Sequence, residues 1–171
     1  NLVPEDRRIE GLILSQSVEA NLTLPSLNIL SKAGFISRNK SRTIATNHVK
    51  RLQIKTPGIL QTTEFLSGGN QQKVVLGKWL TKSPQILLLD EPTVGIDVNA
   101  KAEVRKIISD HVNSNSCSVI LFSSDLDEVI RIADRIIVMY QGKVFEEISN
   151  NPPIEEQVLH HTVQGAMEDV H

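Results

Sequence analysis

Cysteine, aromatic residues and long apolar runs are all scarce in this chain of 171 residues. A single Cys117 excludes an internal disulfide and fits a reducing compartment; at the head of an apolar run it reads as core. With one Trp, one Tyr and four Phe, none interleaved with a basic run, the chain lacks the stacking surface of a single-strand nucleic-acid binder. A net charge of −2 with 22% charged residues also argues against a polyanion as the main partner. No apolar stretch reaches the length of a membrane span, and the first residues carry no charged-then-apolar leader, so membrane association is expected only through a partner. A phosphate-cradling loop, Gly, four residues, then Gly-Lys-Ser/Thr, is missing as well. The two Gly-Lys pairs, Gly77-Lys78 and Gly142-Lys143, are followed by Trp79 and Val144, and Gln72 and Ile137 stand where the first glycine belongs.

The length suits one domain with a real core. Residues 66–72 read Leu-Ser-Gly-Gly-Asn-Gln-Gln, and residues 86–92 read Ile-Leu-Leu-Leu-Asp-Glu-Pro. Ser67, Gly68 and Gly69 open a helical stretch, placing bare backbone N–H groups where phosphate oxygens can be held. The apolar run ending in Asp90-Glu91 reads as a buried strand with two carboxylates at its carboxyl end, the edge at which open α/β sheets bind ligands. There the first carboxylate can hold magnesium and the second can polarise an attacking water. Taken singly, these pieces also read as an ordinary turn and an ordinary cap. Their order and spacing together carry the reading.

Along the chain, Leu2-Val3-Pro4 ends a strand and residues 5–11 form a loop. Residues 17–63 form a small helical region broken at Pro25, around Gly34 and at Pro57-Gly58. A helix follows from Ser67 to about Thr81, with Val74, Val75 and Trp79 inward, stopped by Ser83-Pro84. Val104, Ile107, Ile108, His111 and Val112 recur on one helical face, where His111 reads as a packed histidine. Residues 118–122 form a strand, and Asp125 with Glu128 reads as a capping box. Residues 136–139 form another strand, turning at Gln141-Gly142-Lys143. Strands alternating with amphipathic helices predict an α/β fold with a largely parallel sheet. Pro152-Pro153 marks a linker to an acidic tail. Adjacent His160 and His161 point about 100° apart on a helix, a poor chelating pair and a plausible solvated face.

The order of motifs resembles the nucleotide-binding domain of ABC-type ATPases over nearly the whole chain. Residues 66–72 match the signature motif, residues 86–91 the Walker B strand, and Gly95-Ile96-Asp97 the D-loop. The Asn70-Gln71-Gln72 ending is similar to the ATPase subunits of bacterial importers for simple sugars, with nucleoside importers a close second. Val3-Pro4-Glu5-Asp6-Arg7-Arg8 resembles the start of the Q-loop region in the second of two tandem ATPase domains. The resemblance implies a Q-loop region at 1–16, a helical subdomain at 17–65, the signature, Walker B and D-loop part of a RecA-like core at 66–150, and a tail at 151–171. It places the P-loop and the adenine-stacking residue upstream of Asn1, so the chain is expected to be the rear part of a domain without the P-loop portion.

ATP and Mg2+ are the implied cofactors. Ser67, Gly68, Gly69 and Gln71 would meet the nucleotide held by the opposite domain, Asp90 and Glu5 the metal, and Glu91 would be catalytic. Asp97 would reach across the dimer seam, though it also reads as a plain N-cap. Glu5 departs from the family's glutamine: an ionised carboxylate accepts hydrogen bonds but donates none. Ser124 departs from the histidine that senses the γ-phosphate, and serine is too short to span that gap. Two unequal sites follow, the intact signature here serving the better one. The implied partners are transmembrane permease subunits, the first nucleotide-binding domain and, indirectly, a periplasmic solute-binding protein, with no nucleic acid. The implied location is the cytoplasmic face of the bacterial inner membrane. The intact family hydrolyses ATP, whereas the 171 residues alone are expected to be inactive, so a non-catalytic remnant stands beside the importer reading. An ABC ATPase acting on nucleic acid is disfavoured, because residues 17–63 show neither heptads nor a basic linker.

Overall fold

The computed structural model describes residues 1–32, 35–115 and 117–168. It divides into two compact units, Asn1–Phe122 and Ser123–His171.

The first unit is built on a parallel sheet of three strands, β1 (Leu2–Val3), β4 (Ile86–Asp90) and β5 (Ser118–Phe122), in the order β1-β4-β5. Val3 pairs with Leu89, and Asp90 pairs with Phe122, so the chain leaves all three strands at one carboxyl edge. Alternation sends Leu87 and Leu89 into the core, while Ile86, Ile120 and Phe122 remain about half exposed.

Between β1 and β4 lies the helical region. Ser17 caps α1 (Val18–Thr23) by accepting from the Ala20 N–H at 3.1 Å. Pro25 enters a 3-10 turn that leads into α2 (Leu27–Leu30), and α3 (Arg38–Arg51) follows. Two short strands, β2 (Ser31–Lys32) and β3 (Phe35–Ile36), pair antiparallel between α2 and α3, where the sequence suggested only a break. The expected break at Gly34 lies outside the described residues. α4 (Gly68–Leu80) packs against α1, against β1 and against α5 (Val98–Asn115), and most of its side chains are buried. Gly77 permits that approach, since a Cβ there would stand 2.7 Å from Leu22 and 2.8 Å from Leu52. Trp79 is only half-buried; Lys73 and Lys78 are buried instead. The Lys73 Nζ donates to the Gln53 carbonyl at 3.0 Å and pairs with Glu103 at 2.7 Å; the Lys78 Nζ donates to the Gly11 carbonyl at 2.9 Å. Those acceptors are what make two buried ammonium groups tolerable. The hydrogen bond from Lys73 holds the Glu103 carboxyl below its ordinary range. Val104, Ile108 and His111 form the buried stripe of α5, as their spacing predicts.

In the second unit, Asp125 caps α6 (Leu126–Ile132) by accepting from the Glu128 N–H at 3.1 Å. The Glu128 carboxylate accepts from the Ser123 hydroxyl at 2.7 Å, and that hydroxyl accepts from the Asp125 N–H at 3.2 Å. β6 (Arg135–Tyr140) and β7 (Lys143–Ser149) pair antiparallel about Gln141 and Gly142, both at positive φ, as a two-residue hairpin turn requires. The parallel sheet predicted from alternation is therefore that of the first unit. α7 (Glu156–Glu168) closes a small core around Ile136, Val138 and Leu159. The Pro152-Pro153 segment is pinned rather than loose: Asn150, buried, donates to the carbonyls of Ile130 and Ala133 and accepts from the Ile154 N–H.

Candidate functional site

Ser67 is the N-cap of α4, with extended backbone, yet its side chain makes no hydrogen bond to the first-turn N–H groups. Its hydroxyl accepts from the Asn70 side-chain amide nitrogen at 2.8 Å, and the Asn70 side-chain Oδ1 accepts from the Lys55 N–H at 2.8 Å. A helix amino end without a side-chain cap presents oriented donors and the positive end of the dipole, so an anion fits there. The glycines have separate reasons. A Cβ on Gly68 would stand 2.9 Å from an Arg7 nitrogen, and one on Gly69 only 2.5 Å from the Ala100 Cβ. Gln71, expected among the nucleotide contacts, is buried and turned inward. Its side-chain nitrogen donates to the Thr63 carbonyl at 3.1 Å, holding the segment before α4.

Residues 5–11, expected as a loop, instead form a single wide helical turn, Arg7–Gly11. The Asp6 carboxylate sets it by accepting from the Arg8 and Ile9 N–H groups at 2.8 and 3.0 Å. Arg7 then reaches across the fold. Its two terminal nitrogens donate to the Val94 and Gly95 carbonyls at 2.9 and 3.1 Å. Burial pulls its pKa down, Arg8 adds to that and Asp6 opposes it. The structure thus brings the Asp6–Gly11 turn, the start of α4 and the segment before Asp97 together around one guanidinium.

Glu91 directly follows β4 at φ 43, in the left-handed region, and its N–H donates to the Phe122 carbonyl at 2.9 Å. Backbone held in that region costs about 1–3 kcal/mol and is typical of functional sites. Asp90 is half-buried at the strand end, and Glu5 is exposed just beyond β1. Since β1 and β4 are parallel neighbours, both carboxylates emerge at one sheet edge. Among the described residues no group of three or more His, Cys, Asp or Glu could hold a metal. One or two carboxylates are the protein share that magnesium takes when phosphates and water supply the rest, so Asp90 and Glu5 fit that ion. Asp97 acts as an N-cap of α5, its carboxylate accepting from the Ala100 N–H at 2.9 Å. Ser124 is exposed and belongs to the second unit.

Neither Gly-Lys pair resembles a phosphate loop in the structure. Gly77-Lys78 lies within α4 and Gly142-Lys143 in the β6–β7 turn. His160 and His161 are both exposed on α7. Cys117 is buried, and burial pushes its thiol pKa up.

A protein-family profile described as ABC transporter matches residues 4–94. The ribose import ATP-binding protein RbsA 1 of Streptomyces coelicolor is 46% identical over 158 residues, covering 92% of this chain and 31% of that protein. RbsA of Geobacillus kaustophilus is 42% identical over 164 residues, covering 96% of this chain and 33% of that protein. The chain spans about a third of the length of the curated relatives it matches. Among solved structures, CbiO1 of Clostridium perfringens, described as part of the ABC transporter complex cbiONQ, superposes with a TM-score of 0.74 at 24% identity, over 94% of this chain and 61% of that one. An ATP-binding cassette dimer in a post-hydrolysis state, bound to ADP and Pi, gives 0.69 at 23% identity, over 87% and 62%.

Proposed function

The chain belongs to the ABC transporter family, and from that premise we propose that it forms part of the ATP-hydrolysing subunit of an importer for a simple sugar. The ribose import relatives support the choice of solute class. The observation that carries the reading is the amino end of α4, which is left without a side-chain cap and packed so closely that neither of its glycines has room for a Cβ.

ATP supplies the phosphoryl group and magnesium neutralises its charge when both are bound. Ser67, Gly68 and Gly69 hold the terminal phosphate of a nucleotide carried by the opposite domain. Phosphoryl transfer depends mainly on positioning and charge neutralisation, which oriented N–H groups and a hydroxyl provide. Asp90, with Glu5 at the same edge, holds the metal, and Glu91 orients the attacking water. Asp97 faces the seam between domains. Gln71 acts from behind, holding the turn before α4. Residues 17–65 form the subdomain that meets a transmembrane permease subunit. The other partners are a first nucleotide-binding domain and, indirectly, a periplasmic solute-binding protein, with no nucleic acid. The working location is the cytoplasmic face of a bacterial inner membrane.

Ser67→Asp tests the reading in the assembled transporter. Aspartate is as good an N-cap as serine, so α4 keeps its start, while a carboxylate is placed against the phosphate. Sugar-stimulated ATP turnover and ribose uptake should fall about a hundredfold, the scale of losing one key electrostatic contact. Turnover at the original rate, with the subunit assembled, would remove the site.

A further inference from the structure

Arg7 lies outside every residue assigned a role above, yet it is the side chain on which three of the assigned segments converge. Both of its terminal nitrogens are engaged, by the successive carbonyls of Val94 and Gly95. Successive carbonyls turn toward one donor only where the chain bends sharply, and Gly95 supplies that bend at φ 68. The same guanidinium fills the space beside Gly68 that a side chain would otherwise take.

The base of the arginine is as firmly held as its tip. Asp6 caps the turn in front of it. At the far end of the turn, Lys78 of α4 donates to the Gly11 carbonyl, and a Cβ on Gly11 would stand 3.0 Å from Val75 of the same helix. The Asp6–Gly11 turn is therefore fixed to α4 near both ends of that helix, and Arg7 extends the attachment to the segment before Asp97. The fork geometry matters: a guanidinium meets two acceptors at once, whereas an ammonium is a point donor on a flexible stem.

We propose that Arg7 is a positioning residue: it ties the Val94–Gly95 turn to the amino end of α4, so that Asp97 and Ser67–Gly69 meet the opposing nucleotide site in one fixed register. This role rests on the proposed function of that site. Arg7 itself touches no reacting atom. Without the tie, the turn and the helix end would still form, since Val94 keeps its bond to the Glu91 carbonyl and Ala100 its bond to Asp97. They would no longer move as one body.

The test compares Arg7→Lys and Arg7→Met in the assembled transporter, with Ser67→Asp alongside. Hydrogen exchange is followed at the Val94 and Ala100 amides, with the Val75 and Leu76 amides of α4 as internal reference. Both Arg7 variants should exchange about tenfold faster at Val94, with the α4 reference unchanged. Turnover number should fall about tenfold while KM for ATP stays within about twofold, because register acts on the chemical step rather than on holding nucleotide. Lysine should not rescue. Unchanged exchange at Val94, rescue by Arg7→Lys, or acceleration shared by the α4 reference would each overturn the proposal; the last would mean simple destabilisation. Full turnover in Ser67→Asp would instead sink the site and the registry role with it, and the exchange data would still report the tie.

Discussion

Gly69 on α4 and Ala100 on α5 approach so closely that a methyl group on Gly69 would stand 2.5 Å from the Ala100 Cβ. Both residues are buried, and the Ala100 N–H donates to the capping Asp97 carboxylate. Contact between α4 and α5 is therefore set by the absence of one side chain, beside the end of the helix proposed to hold phosphate. Gly69→Ala should destabilise the protein by about 1–3 kcal/mol, the usual cost of overpacking a site that cannot yield. At Gly68 the obstacle is the Arg7 guanidinium at 2.9 Å, which gives way only by straining its bonds to the Val94 and Gly95 carbonyls, so Gly68→Ala should also destabilise, but by less than Gly69→Ala. Urea unfolding of the two variants checks the order. An equal cost would mean that the α4–α5 contact relaxes freely.

The pairing of Ser67 and Glu91 gives a ranking. On the proposed reading, Ser67 serves the better equipped of two unequal sites, and Glu91 serves the other, for which the sequence carries Ser124 at the position of the resembling family's sensing histidine. Glu91→Gln should reduce sugar-driven ATP turnover by about tenfold or less, and Ser67→Asp by about a hundredfold. Rates at equal subunit abundance decide it. Equal losses would mean that Glu91 does the principal chemistry, and the account of two unequal sites would fall.

Acid sensitivity should come from two histidines, His111 buried and His48 half-buried. His48 lies 3.2 Å from the Thr81 hydroxyl, and His111 on α5 lies 3.4 Å from an Arg51 nitrogen. Burial, then the charge of Arg51, pulls the pKa of both below the ordinary histidine value. The unfolded chain then binds more protons than the native one as pH falls through the unfolded value of about 6.5. Stability is fully present above that pH and declines below it. The urea midpoint should drop between about pH 7.5 and about pH 5.5, and His111→Gln should flatten the drop. A midpoint that rose on acidification would contradict the sign.

Much of this architecture was legible where its cause is local. Ser67 and Asp125 announce helix starts, and the alternating burial of β4 follows from its apolar run ending in Asp90. The stripe on α5 follows from its period. What escaped has its cause far away in the chain. Arg7 meets carbonyls 87 and 88 residues distant, which no window of local periodicity contains. The only nearby signal was Asp6 placed to cap a turn. The burial of Lys73 and Lys78 likewise depends on the Gln53 and Gly11 carbonyls, 20 and 67 residues away. The inward anchoring of Gln71 was equally hidden, since its amide donates to the carbonyls of Thr63 and Glu64, outside α4.

The 171 residues by themselves should not turn over ATP. The proposed chemistry needs a loop that wraps the phosphates of the nucleotide held by the same domain, and neither Gly-Lys pair can serve. Lys78 is buried with its ammonium on the Gly11 carbonyl, and freeing it would leave that carbonyl and a buried charge unpaired. Burial also pulls its pKa below the ordinary lysine value. Lys143 begins β7 at a hairpin, with no helix amino end following to hold phosphate. Phosphate release by the purified chain should therefore match the buffer blank with magnesium present, and Glu91→Gln should change nothing. Release above the blank that disappears in Glu91→Gln would show that these residues build a complete site on their own, and the division of labour between two domains would have to be abandoned.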